Sequence, residues 1–148
     1  MHMVAHLTGK RLSDAIRVPE RVWLDAGTEL RRRIIQRTRG RNVDADGAPF
    51  EPYSEGYARA KAKKGGVGGG GRVNLTGAAA GPKMLDGMVV RASATQNPRI
   101  TITFALAEKA RIASYHMGEG RVDRLFFALS DEDVDDTVGF IRARMGVS

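Results

Sequence analysis

The 148-residue chain contains no cysteine, which excludes disulfides, thiolate nucleophiles and cysteine-held zinc or iron–sulfur centres in one step. No apolar run approaches the roughly 20 residues needed to cross a bilayer. The start of the chain, Met1-His-Met-Val-Ala-His-Leu-Thr, lacks the long apolar core of a signal peptide, so the expected setting is the cytoplasm or an assembly built from it. Catalytic patterns are missing as well. There is no evident serine nucleophile motif, and His116 is the sole histidine beyond the first residues. Pairing His116 with Asp123 or Glu119 gives an acid–base reading. Without a nucleophile motif, His116 reads better as a hydrogen-bonded structural residue.

Metal and nucleotide patterns fail on inspection. His2 and His6 share a metal-clamping spacing but have no third ligand. Asp44-Ala-Asp-Gly47 and Glu55 suggest a calcium loop, yet Pro49 stands where that loop needs glycine. Gly66-Val-Gly-Gly-Gly-Gly71 satisfies G-x-G-x-x-G, but no strand precedes it and no helix starts at Gly71, as a dinucleotide fingerprint requires. No catalytic, cofactor-binding or metal-ligating residue is expected.

What the chain has is a soluble protein's balance, 42% hydrophobic and 28% charged residues, and 18 glycines concentrated in one stretch. Its length fits one domain, residues 1–148, opening with an arm over 1–18. The net charge of +7 lies wholly in the first half: residues 1–77 hold 15 Lys+Arg against 8 Asp+Glu, and residues 78–148 hold 9 against 9. A polyanion or an acidic protein surface is the implied partner of that half.

Pro19 and Glu20 open a helix with Trp23, Ala26, Leu30 and Ile34 at helical spacing, closed by Gly40. Its end carries Arg31, Arg32, Arg33, Arg37, Arg39 and Arg41, which either complement the helix dipole from a solvated face or contact DNA or an acidic partner. A turn around Gly47, Pro49 and Pro52 then presents Phe50 and Tyr53 as anchors. Ser54 caps a short basic helix with Arg59, Lys61, Lys63 and Lys64. The glycine run and Arg72 complete a flexible insertion over residues 54–74.

Residues 78–87 suggest a short helix around Met84 and Leu85. Alternation at Met88, Val90, Ala92 and Ala94, and again at Ile100, Ile102, Phe104 and Leu106, predicts a β-hairpin turning at Gln96-Asn-Pro98. A hairpin is not stable alone, so the first helix should pack on it with a further strand. Residues 107–117 read as a helix. Residues 121–129, with Arg121, Arg124, Phe126 and Phe127, read as a strand or extended edge. Ser130 caps a last helix, acidic at its start and basic at its end, with a buried stripe of Val134, Val138, Ile141 and Met145. The fold class is α+β: a small antiparallel sheet packed against a long N-terminal and a C-terminal helix, with a long flexible insertion.

Asp46-Gly-Ala-Pro-Phe50-Glu-Pro-Tyr-Ser54, followed by a basic helix, resembles the D-G-x-x-F/W-x-P-x-S segment of the Mu-like phage virion morphogenesis, or tail completion, proteins. Leu75-Thr-Gly77 with Met84-Leu85 is similar to their Leu-x-x-T-G-x-Leu stretch before a hairpin. Tyr115-His116-Met-Gly118 resembles Y-A-x-x-H-x-x-G, and residues 121–130 resemble R-x-F-L-G-L-S before an acidic helix. Tyr115 abuts His116 without the usual spacer, Ala128 replaces a glycine, and Ala78-Ala-Ala-Gly-Pro82 lengthens the link after Gly77. The order of elements is also similar to siphophage neck and tail-terminator proteins.

The resemblance implies a non-enzymatic structural protein of the virion that completes the tail or joins it to the head. It would act in a ring of about six copies around the DNA channel, beside connector, tube or terminator proteins. Expected assembly contacts are Phe50, Tyr53, Arg59, Lys61, Lys63, Lys64, Arg72, Arg121, Arg124, Phe126 and Phe127; the six arginines of residues 31–41 would face DNA or acidic protein. The alternative is a sequence-independent nucleic-acid-binding protein, for which interleaved exposed aromatics and a known module are lacking.

Overall fold

The computed structural model describes residues 17–63, 84–95, 98–119 and 126–147. Four helices, α1 (Glu20–Ile35), α2 (Glu55–Lys63), α3 (Ala107–Ser114) and α4 (Asp131–Met145), accompany an antiparallel hairpin of β1 (Met88–Ser93) and β2 (Arg99–Phe104). The fold is α+β as the periodicities predict. Residues 1–16 of the arm and the glycine run lie outside the described residues, as do Leu75-Thr-Gly77 and the hairpin turn at Gln96 and Asn97, whereas Val18 is buried. The chain divides into two compact units: one takes Ile34–Met88 and Phe104–Ala128, the other His2–Arg33, Val89–Thr103 and Leu129–Ser148.

In the second of these units the carbonyl of Pro19 accepts the N–H groups of Val22 and Trp23 and so opens α1. Trp23, Ala26 and Leu30 are buried, as their spacing predicts. Gly27 marks where the helix backbone meets the hairpin: a Cβ there would lie 2.5 Å from Val90 Cγ1 and 2.7 Å from Ile100 Cγ2. Both contacts are branched tips with little rotamer freedom, so only glycine permits this approach. On the hairpin, Ile100 and Ile102 are fully buried.

Helix α4 begins with a capping box in which the Ser130 hydroxyl accepts the Asp133 N–H at 3.0 Å and Asp133 accepts the Ser130 N–H at 3.1 Å. It ends at Gly146 in the left-handed conformation, φ 66°, with the Val147 N–H closing on the Arg142 carbonyl. Its buried residues are Asp133, Thr137 and Ile141, so the expected stripe shifts by one residue, leaving Val134, Val138 and Met145 half-buried. Polar residues can hold this face because each is satisfied locally, Asp133 by the cap and the Thr137 hydroxyl by the Asp133 carbonyl at 2.6 Å. Arg33 of α1 pairs with Asp136 of α4.

In the other unit, α1 runs on into a wider π-helical segment, Gln36–Arg41, one residue past the expected stop at Gly40. Asn42 ends it in the left-handed conformation, φ 59°, which asparagine tolerates better than most side chains. Met84 and Leu85 are buried in a 3-10 turn, Met84–Gly87, where a short helix was expected. Phe104, Phe126 and Phe127 form an aromatic cluster, with ring centroids 5.4 Å apart for Phe104 and Phe127 and 6.1 Å for Phe126 and Phe127.

Two expectations are corrected here. The expected strand or extended edge over 121–129 is tested only from Phe126 on, where Phe126 and Phe127 lie in a turn; the sheet of the described residues has two strands. Strand β2 stops at Phe104 because the Ala105 N–H turns to the Gly87 carbonyl at 2.9 Å; Leu106 then becomes the N-cap of α3 and is half exposed.

Candidate assembly surface

The short basic helix α2 stands on a closed turn. Asp44 Oδ1 accepts the N–H groups of Asp46 at 3.0 Å and Ala48 at 2.8 Å, while its own N–H donates to the Ala48 carbonyl. Gly47 sits at φ +82°, where only glycine is unstrained, and Val43 and Pro49 bridge across the turn. Phe50 then enters the core at 5% exposure, with its N–H on the Asn42 carbonyl. The D-G-x-x-F segment is thus a fixed foot, not a displayed anchor. Sequence reasoning credited the Asp-Gly pair and the prolines; the closing residue is Asp44, legible in hindsight as the first position of an Asx turn.

Beyond this foot the Ser54 carbonyl accepts the Ala58 N–H and α2 begins. Tyr53 is half-buried and packs edge-on against Tyr57 with centroids 5.0 Å apart, while Tyr57 itself is 55% exposed. Ala58 is the one half-buried residue among the described side chains of α2; the others are exposed. Arg59 makes a loose 3.7 Å pair with Glu55, its side chain 77% exposed. An isolated helix shorter than about 12 residues is marginal in water. This one has nine residues, and among its described side chains only Ala58 is half-buried.

The arginine run does not form one cationic face. Arg37 is 4% exposed and donates through Nη2 to the carbonyls of Phe126 at 3.3 Å and Ala128 at 2.8 Å. It tethers the turn that carries two of the core phenylalanines. Arg32 and Arg33 both hold Glu29, Arg33 also holds Asp136, and Arg39 pairs with Asp86 at 2.8 Å. Arg31 is half-buried, and Arg41 is exposed. The Arg32 hydrogen bonds hold the Glu29 carboxyl below its ordinary value of 4.5; partial burial opposes this, and Arg33 adds to the lowering.

Of the other expected contacts, Phe126 and Phe127 are core residues, and Lys63 is exposed near the end of α2. Lys64, Arg72, Arg121 and Arg124 lie outside the described residues, as does the side chain of Lys61. Of the proposed acid–base partners, Asp123 and the side chain of Glu119 lie there too, while His116 meets the Phe126 ring edge-on at 6.4 Å. Among the described residues no three His, Asp or Glu side chains cluster as metal ligands, and no helix is long and apolar enough to cross a membrane.

Two exposed features escaped the sequence reading. Arg111 of α3 lies over the ring of Tyr115, the residue that follows the helix, at 5.8 Å, and Tyr115 raises its pKa by accepting its hydrogen bond. The i, i+4 spacing was the available signal. On α4, Asp131, Asp135, Gly139 and Arg142 share one exposed face. No family model, curated protein or solved structure matches the chain.

Proposed function

We propose that this chain is a structural subunit of a phage head–tail joint, repeated as a ring of about six copies that completes the tail or joins it to the head. The observation that carries the reading is α2: a charged helix that follows the D-G-x-x-F turn and is exposed at every described side chain but Ala58. Such an element gains its stability from a surface supplied by another molecule. The ordered series of sequence landmarks supports a phage neck as the setting.

The reading is tested by replacing Arg59 and Lys63 together with glutamine in the full chain, which keeps the helix propensity of α2. The variant should unfold at the wild-type denaturant midpoint, because these side chains are exposed. Supplied to a phage lacking its own copy, it should leave heads and tails unjoined. Wild-type titres from a folded variant would overturn the proposal.

The exposed cations of α2 and Arg41 favour a second reading, sequence-independent nucleic-acid binding. The engagement of Arg32, Arg33, Arg37 and Arg39 within the chain weakens it. Tight duplex binding that falls steeply with salt would favour it.

A further inference from the structure

The outer faces of α2 and α4 carry complementary charges. Along α2, Glu55, Arg59 and Lys63 recur at i, i+4 and i+8 and are all exposed. Along α4, Asp131, Asp135, Gly139 and Arg142 recur at i, i+4, i+8 and i+11, again on one exposed face. A Cβ at Gly139 would meet nothing within 4 Å. One face reads minus, plus, plus, and the other minus, minus, neutral, plus.

We infer that α2 of one copy docks antiparallel on the α4 face of the next copy, setting Lys63 on Asp131, Arg59 on Asp135 and Glu55 towards Arg142. The inference rests on the ring reading and gives it a contact. Helical rise decides the register: Arg59 and Lys63 are about 6 Å apart along the axis, as are Asp131 and Asp135. The parallel arrangement sets Glu55 against Asp131, a like-charge pair. Antiparallel docking also brings the cations at the end of α2 to the acidic start of α4, so the two helix dipoles are opposed favourably. Glu55 argues against a nucleic-acid occupant of the same face, since it would meet phosphate. Because the two faces differ, each docking event leaves one of each kind open, the head-to-tail condition for a ring.

The absence of cysteine permits a register test on the full chain. Lys63→Cys protein is mixed with Asp131→Cys protein and, separately, with Gly139→Cys protein, and each mixture is oxidised. A disulfide needs Cα atoms within roughly 7 Å, whereas Asp131 and Gly139 lie about 12 Å apart along α4. The Asp131→Cys mixture should give about tenfold more cross-linked heterodimer, a preference equivalent to about 1.4 kcal/mol. The excess should vanish when Arg59→Glu is added to the Lys63→Cys protein, and return when Asp135→Lys is added to its partner.

Equal yields from the two mixtures, or an excess indifferent to the charge reversals, would overturn the contact. Duplex DNA that abolishes the excess by occupying α2 would overturn it in favour of nucleic acid. The ring reading has a separate readout, the presence of the chain in particles. Loss of the cross-link with the chain present removes the contact alone, and the converse removes the reading alone.

Discussion

Arg37 shows how little a charge run reveals about the duty of any one member. Its guanidinium is the most buried of the six and holds two backbone carbonyls of the 126–128 turn. Hydrogen bonds to a charged donor contribute about 1.5–3 kcal/mol, and removing the donor strands buried acceptors. Arg37→Met should therefore lower unfolding stability by about 2–4 kcal/mol. A urea midpoint equal to wild type would show that the tether contributes nothing.

Glu29 gives a pH signature at the same scale. Its folded pKa lies below the ordinary 4.5, so its contribution is present above the unfolded value and is lost as pH falls through the folded one. The stability advantage of wild type over Glu29→Gln should shrink as pH drops from neutral through 4.5 and below. Urea unfolding at a series of pH values checks it, and a constant gap would be inconsistent with the depressed pKa.

At the scale of elements, periodicity was legible where one face meets a core. The helix spacing at Trp23, Ala26, Leu30 and Ile34, the alternation at Ile100, Ile102 and Phe104, and the Ser130 cap all reappear in the structure. Ser130→Ala should lower stability by about 1 kcal/mol. Combined with Asp133→Ala, the loss should be smaller than the sum, because the two residues cap each other. An additive double variant, measured by the same unfolding curves, would mean the box does not act as a unit.

Legibility failed where polar residues took buried positions. Arg37, Asp133 and Thr137 are buried with backbone groups among their partners, and hydrophobic patterning carries no trace of such partners. The opposite error befell Phe50, Phe126 and Phe127. Flanking prolines and charges suggested displayed aromatics, but a phenylalanine stabilises by about 1.5–3 kcal/mol when buried, and the turns simply aim these rings inward. For the candidate surface, the cations of α2 were legible from sequence, while the matching face of α4 emerged only once exposure along that helix was known.

At the scale of the whole molecule the net charge is +7, and among the described residues several of its cations have local duties. Much of the arginine run is neutralised within the chain, whereas Arg59 and Lys63 of α2 are exposed, and a partner for them is what the proposal supplies. The central claim is that this partner is found in a virion. Quantitative mass spectrometry of any phage particles released by cells that encode the chain tests that claim most directly. The chain should co-purify with joined particles in a fixed number, about six per tail. Infectious particles purified free of the chain would contradict the account.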